Sequence, residues 1–174
     1  MLTIESAAEL LCKGKIIIFP TDTVYGIGAL SSFPDAIERI YTIKKRCSTK
    51  PLIALTSHLP PNMSKEFYTL AERFWPGSLT LIISPKMGFR MPDHPITLGI
   101  LNLVKEPILT TSANLSGQPS PTTPDTISIQ ADGQLLSGPL PAGLPSTVYD
   151  LQTHTLLRPG PISLCEIKNC LAGQ

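Results

Sequence analysis

The chain has 174 residues, 42% of them hydrophobic, and its 14 basic residues against 13 acidic ones leave a net charge of +1. Length and apolar content match one ordinary folded domain with its own core, so the chain is read as a single domain over residues 1–174. The near-neutral balance excludes a global attraction to nucleic acid, and the four cysteines and three histidines show neither C-x-x-C spacing nor clustering, which argues against a zinc site or a disulfide framework.

In chain order, residues 6–12 carry Ala7, Ala8, Leu10 and Leu11 and stop at Gly14, the pattern of a short helix with a glycine terminator. The β-branched run 15–19 follows, is far too short to span a membrane and lacks signal-peptide character, so a cytoplasmic protein is expected. It reads as a strand buried on both faces and ended by Pro20. Pro34 occupies a first-turn position, and Ile37, Ile40, Tyr41 and Lys44 continue a helix that ends in Lys44-Lys45-Arg46. Residues 52–55 predict a strand, 64–74 an amphipathic helix with Asn62 as its cap, and 79–83 a strand after the Trp75-Pro76-Gly77 turn. Residues 96–104 predict a helix and 108–111 a strand, followed by a long polar loop over 112–123. A late hairpin (146–151 and 155–157) and a terminal helix (162–171, stopped by Gly173) complete an alternating α/β pattern. The 18 prolines, spread among Gly, Ser and Thr, mark tight, shaped loops, where sites often lie.

Three segments have the composition of a site. Pro20-Thr21-Asp22-Thr23-Val24-Tyr25-Gly26-Ile27-Gly28 places hydroxyls, a carboxylate and two glycines directly after a buried strand, where ligands of α/β proteins gather. A well-capped turn explains the same residues, and Ser31 at the last position rules out a dinucleotide fingerprint. Lys44, Lys45, Arg46 and Lys50 form a cationic cluster free of acids that attracts an anion if a concave surface faces it, and that otherwise is a solvated helix end. Thr110-Thr111-Ser112-Ala113-Asn114-Leu115-Ser116-Gly117 offers hydroxyl and amide groups for phosphate or ribose, or forms a polar turn. Ser146 with Thr147, and Arg158, lie near further strand ends. No phosphate-loop, G-x-S-x-G or H-E-x-x-H pattern occurs. His94 reads as a helix-start residue and Trp75 as packing. From the residues alone the result is an α/β domain with a polyanion site.

In this order the segments resemble the YrdC-type threonylcarbamoyl-AMP synthase family. The family's P-T-[DE]-T-V-Y-G-[IL]-G is matched by residues 20–28, and its K-x-R with N-P-L by Lys44, Arg46, Pro51 and Leu52, with Lys50 replacing the asparagine. F-W-P-G-x-L-T is matched by 74–80, R-x-P-x-H-P by 90–95, S-x-N-x-S-G-x-x-S-P-T by 112–122, S-T-V-x-D by 146–150 and L-R-P-G by 157–160. The resemblance implies a twisted, largely parallel or mixed sheet with flanking helices and a concave basic face. It also implies a nucleotidyltransferase that forms threonylcarbamoyl-AMP and pyrophosphate from ATP, L-threonine and bicarbonate. The product would serve tRNA modification through a partner threonylcarbamoyl transferase, with tRNA as a further partner and no membrane. By motif correspondence, Lys44 and Arg46 are the catalytic pair on the phosphates. Lys50, Thr80, Ser112, Asn114, Ser120 and Arg158 join them around ATP, and Thr23 and Ser146 contact threonine. Mg²⁺ is expected with ATP, on phosphate oxygens and water, without a dedicated protein metal site.

The chain departs from the family pattern in several places. Only six residues separate Ile83 from Arg90, which predicts a missing hairpin or edge strand. Leu55 stands where many members have a threonine-contacting histidine, Thr111 replaces the proline usual before S-x-N, and the extra C-terminal domain of longer members is not expected. Two further readings follow: a non-catalytic double-stranded RNA or tRNA-binding module on the same fold, and a paralogue acting on another carbamate.

Overall fold

The computed structural model describes residues 2–173. Its α-helices are α1 (Ile4–Cys12), α2 (Pro34–Lys44), α3 (Lys65–Phe74), α4 (Pro95–Val104) and α5 (Leu164–Ala172). The strands are β1 (Ile17–Phe19), β2 (Gly26–Leu30), β3 (Ile53–Leu55), β4 (Leu79–Ser84), β5 (Met87–Arg90), β6 (Ile108–Ser112), β7 (Gly133–Gln134), β8 (Thr147–Asp150) and β9 (Thr155–Arg158). They form one nine-stranded sheet in the order β7-β1-β2-β6-β3-β5-β4-β8-β9. The mixed α/β architecture is as expected, but parallel pairing is confined to β1–β7, β3–β5 and β4–β8, while the other neighbours are antiparallel. The sheet is therefore mixed rather than largely parallel, because hairpins join β1 to β2, β4 to β5 and β8 to β9.

The predicted helices all form, with caps that explain their starts. Thr3 and Ser6 make a reciprocal capping box for α1, as do Ser163 and Glu166 for α5. The cap of α3 is Ser64, whose hydroxyl accepts from Phe67 N at 3.1 Å. Asn62, expected in that role, instead occupies the left-handed region at φ 60°, a conformation asparagine tolerates better than most residues. Between Ile83 and Arg90 the chain makes one short hairpin. Residues 85 and 86 form a tight turn between the paired Ser84 and Met87, and β5 runs back beside β4 with a register shift between Ile82 and Ser84.

Register places the core. Leu109 pairs with Ala54, Ala54 with Phe89 and Phe89 with Leu81, so these residues share one face of the sheet. That face carries α2 over Ile18, Ile27 and Ala29 at one end, and α3 with α5 over Leu79, Leu81 and Tyr149 at the other. On the opposite face, α1 and α4 pack over Ile17, Phe19, Leu30 and Ile108. Strands β1 and β2 are thus covered on both sides, which is why 16–19 is apolar without alternation. Helices α1 and α4 leave the rest of their face open, and the side chains there form the site.

Candidate active site

The open half of that face is a cavity of about 790 Å³. Its floor alternates with the core residues strand by strand: Thr110 and Ser112 on β6, Ile53 and Leu55 on β3, Arg90 on β5, Thr80 and Ile82 on β4, Val148 on β8. The 20–28 segment forms one wall. Thr21 Oγ1 donates to Val24 O at 2.7 Å and accepts from the Thr23 and Val24 amides, so this is a side-chain-capped turn. The same turn lines the cavity with Thr21, Thr23 and Gly26. The segment is thus a capped turn that also lines the cavity.

Of the residues expected at the site, Thr23, Arg46, Lys50, Thr80, Ser112, Ser120, Ser146 and Arg158 all line this one cavity. Three of them are directly linked: Thr80 Oγ1 and Ser146 Oγ share a hydrogen bond of 2.8 Å, and Arg158 donates from Nε to Ser146 O at 2.9 Å and from Nη2 to Ser146 Oγ at 3.0 Å. Ser146 is 4% exposed, so its hydroxyl is held by two neighbours rather than by water. Arg46 donates from Nη2 to Pro51 O at 3.2 Å, which folds the 46–51 loop against the cavity rim.

Lys44 and Asn114 are not in the wall, against expectation. Lys44 is buried, and its ammonium donates to the carbonyls of Ser112 and Asn114, the latter at 2.6 Å. Asn114 is also buried, and its amide donates to Leu115 O and Gln118 O at 2.9 and 2.7 Å, shaping the 112–118 loop from within. The physical cause lies at the end of α2, where Lys45 adopts the left-handed conformation at φ 50°. The backbone turns between Lys44 and Arg46, sending the first side chain inward and the second to the cavity. Burial, and then the nearby charge of Arg46, lower the pKa of Lys44 to about 8.

Arg90, to which the motif resemblance gives no role, is the best-anchored cation of the cavity. It is 5% exposed and donates to Gly77 O at 2.9 Å, to Thr23 Oγ1 at 2.8 Å and to the Asp22 carboxylate at 2.5 Å. Three of its five N–H groups are used, leaving two for a ligand. Burial pulls its pKa below the ordinary guanidinium value against the opposing charge of Asp22, and burial together with the Arg90 charge does the same to Arg158. Arg46, Lys50, Arg90 and Arg158 thus face one hollow, and no described residue lining it is acidic. Such a surface stabilises an anion with several charges. The sequence signal for Arg90 is its place at the start of R-x-P-x-H-P, which gives its side chain no direction until β5 is known as a strand.

The remaining expectations concern packing. His94 is the N-cap residue of α4, and its Nε2 lies 3.1 Å from Pro139 O. Trp75 packs edge-on against Phe67 and donates to Leu79 O at 2.6 Å. Among the described residues no cluster of three or more His, Cys, Asp or Glu side chains is arranged to hold a metal ion, and no helix is long and apolar enough to cross a membrane.

A family model described as "Sua5_yciO_yrdC: Telomere recombination" matches residues 9–160. The threonylcarbamoyl-AMP synthase of Bacillus subtilis is 38% identical over 194 aligned residues, which cover 95% of this chain and 55% of that protein. The crystal structure of P. abyssi Sua5 complexed with L-threonine matches with a TM-score of 0.87 at 35% identity, covering 97% of this chain and 57% of the other. E. coli YciO matches with a TM-score of 0.83 at 26% identity, covering 94% and 92%. The chain spans little more than half the length of the first two relatives and most of the third. Because the family model covers most of the sequence and two solved members share its fold, the chain belongs to the Sua5/YciO/YrdC family.

Proposed function

We propose that the chain is an L-threonylcarbamoyladenylate synthase, a nucleotidyltransferase that joins L-threonine, bicarbonate and ATP into threonylcarbamoyl-AMP and pyrophosphate. The product would go to a tRNA threonylcarbamoyl transferase, with tRNA as a further partner, in the cytoplasm. The observation that carries this reading is the cavity with four cations and no acid among its described lining residues. It is supported by the activity printed for the B. subtilis relative and by the L-threonine held by the P. abyssi relative.

The chemistry asks for positioning and charge neutralisation. The amine of threonine attacks the carbon of bicarbonate and a C–O bond breaks with loss of water, giving a carbamate whose oxygen attacks the α-phosphorus in line while pyrophosphate leaves. Arg46 and Lys50 on one rim and Arg158 on the other suit the phosphates, with Ser112, Ser120 and Thr80 as neutral donors. Thr23 and Ser146 flank the place for threonine, and the two unused N–H groups of Arg90, beside Thr23, suit its carboxylate. The cavity's own polar groups are hydroxyls, carbonyls and cations, so magnesium would enter as part of the MgATP substrate, on phosphate oxygens and water. An assay of pyrophosphate release, with the adenylate identified by mass, tests the reading. Turnover should require both threonine and bicarbonate, and Arg46→Ala should lower it about a hundredfold, the usual effect of losing one donor to transition-state charge. Pyrophosphate release independent of threonine, or supported better by another amino acid, would overturn it in favour of a paralogue.

A further inference from the structure

We infer that Lys44 is a positioning residue: its ammonium latches the loop after β6 onto the end of α2 and thereby sets the fraction of molecules competent to bind nucleotide, without touching the phosphates. The inference rests on the nucleotide reading of the cavity. Lys44 is 1% exposed. Its Nζ donates to the carbonyls of Ser112 and Asn114, and its own carbonyl accepts from Ser116 N at 2.9 Å. One residue thus holds three points of a five-residue stretch. The other wall holds the loop as well, since Ala113 N donates to Tyr25 O at 2.8 Å and Tyr25 N to Pro121 O at 2.9 Å. Ser112, held by its own carbonyl, and Ser120, just before the Pro121 anchor, carry cavity-facing hydroxyls.

Turning Nζ toward the cavity would strip the buried Asn114 carbonyl of its donor and leave the Ser112 carbonyl only the Asn114 amide, at 3.0 Å, and buried carbonyls are rarely left unpaired. The left-handed Lys45 already directs the neighbouring cation, Arg46, into the cavity. The depressed pKa of Lys44 fits the same picture, because it reflects an ammonium kept away from water.

A latch and a phosphate contact differ in how affinity depends on the ligand. If Lys44 only sets the population of the closed loop, its loss reduces apparent affinity by the same factor for every ligand that needs that loop, on the order of tenfold. A direct contact instead costs more as phosphates are added. The experiment is calorimetric titration of the full chain with adenosine, AMP, ADP and ATP, comparing wild type, Lys44→Met and Arg46→Met. Lys44→Met should weaken all four ligands by a common factor and speed amide exchange over 112–118, whereas Arg46→Met should weaken ATP most. A phosphate-graded loss in Lys44→Met, with unchanged amide exchange, overturns the inference.

A second measurement uses the wild type, in case the variant does not fold. On brief treatment with acetic anhydride, Lys44 should stay unmodified with and without ATP while the exposed Lys45 reacts. Modification of Lys44 in the free protein that ATP suppresses would refute the latch. A wild type that binds none of the four ligands would overturn the nucleotide reading itself, and that outcome is separate because it does not involve the variants.

Discussion

Gly160, the last residue of the L-R-P-G motif, offers a sharp test of how the site is held. A Cβ added there would lie 2.3 Å from Thr147 N, 2.6 Å from Pro145 O and 2.7 Å from Ser146 C, all backbone atoms, whereas ordinary contacts begin near 3.4 Å. The 145–147 segment must therefore retreat by about 1 Å in Gly160→Ala, a shift of the size that costs roughly a hundredfold in rate when it misplaces reacting groups. Ser146 bonds to both Thr80 and Arg158, so both partners would be displaced with it. The overpacking should also cost about 1–3 kcal/mol of stability. Gly117→Ala is the matched control. That glycine, in another motif, has φ 88° and no atom within 4 Å of its added Cβ, so the change brings only backbone strain of about 1–2 kcal/mol in an exposed turn. Pyrophosphate release and urea unfolding on both variants decide the matter. A Gly160→Ala protein with wild-type kcat/KM, or a Gly117→Ala protein with an equal loss, would refute the reasoning.

Arg90→Met should lower stability by about 3–5 kcal/mol, because it leaves the Asp22 carboxylate largely buried without a partner; the urea midpoint reads this, and Asp22→Asn, which keeps the shape, should cost less. Burying the Lys44 ammonium disfavours its charged form in the folded state, so between pH 8 and the ordinary lysine value of 10.5 the unfolded chain binds the extra proton. The cost of that burial is fully present below pH 8 and is relieved as pH rises through this window. Urea unfolding at pH 7.5, 9 and 10 should therefore show the wild type gaining stability relative to Lys44→Met as pH rises; a flat difference refutes it. Leu55 is a cavity-lining apolar residue beside Arg90 on the paired strand. An apolar wall separates threonine from valine by roughly a hundredfold at most, and a hydrogen-bonding one by far more. Leu55→His should raise the threonine-to-valine ratio of kcat/KM, and an unchanged or lower ratio argues against a wall at Leu55.

The elements legible from sequence were those whose burial leaves a simple trace. Residues 16–19 are covered on both faces and read as a continuous apolar run, and α2 reads from its first-turn proline and apolar spacing. The strands β2 and β5 left no such trace, because close packing places glycine inside both. A Cβ on Gly28 would come within 2.6 Å of Ile108 Cγ2, and one on Gly88 within 2.4 Å of Ile82 Cδ1. Glycine weakens the strand signal in the sequence where neighbouring chains approach most closely. Losing β5 also concealed Arg90, since a side chain has no assigned face until its strand is known.

Side-chain direction limited the reading of the basic cluster in a related way. Composition treats Lys44, Lys45, Arg46 and Lys50 as one patch, yet the helix end divides it. Lys44, the last residue of α2, faces inward to the 112–116 backbone, Lys45 is exposed, and Arg46 and Lys50 reach the cavity. One left-handed residue separates an inward-facing cation from a cavity-facing one within three positions of a K-x-R motif. The motif pattern is therefore met equally by two phosphate contacts and by one contact with one latch. Only the second arrangement provides a donor for the buried carbonyl of Asn114, since Ser112 O also accepts from the Asn114 amide, and burial of that carbonyl makes such a donor necessary.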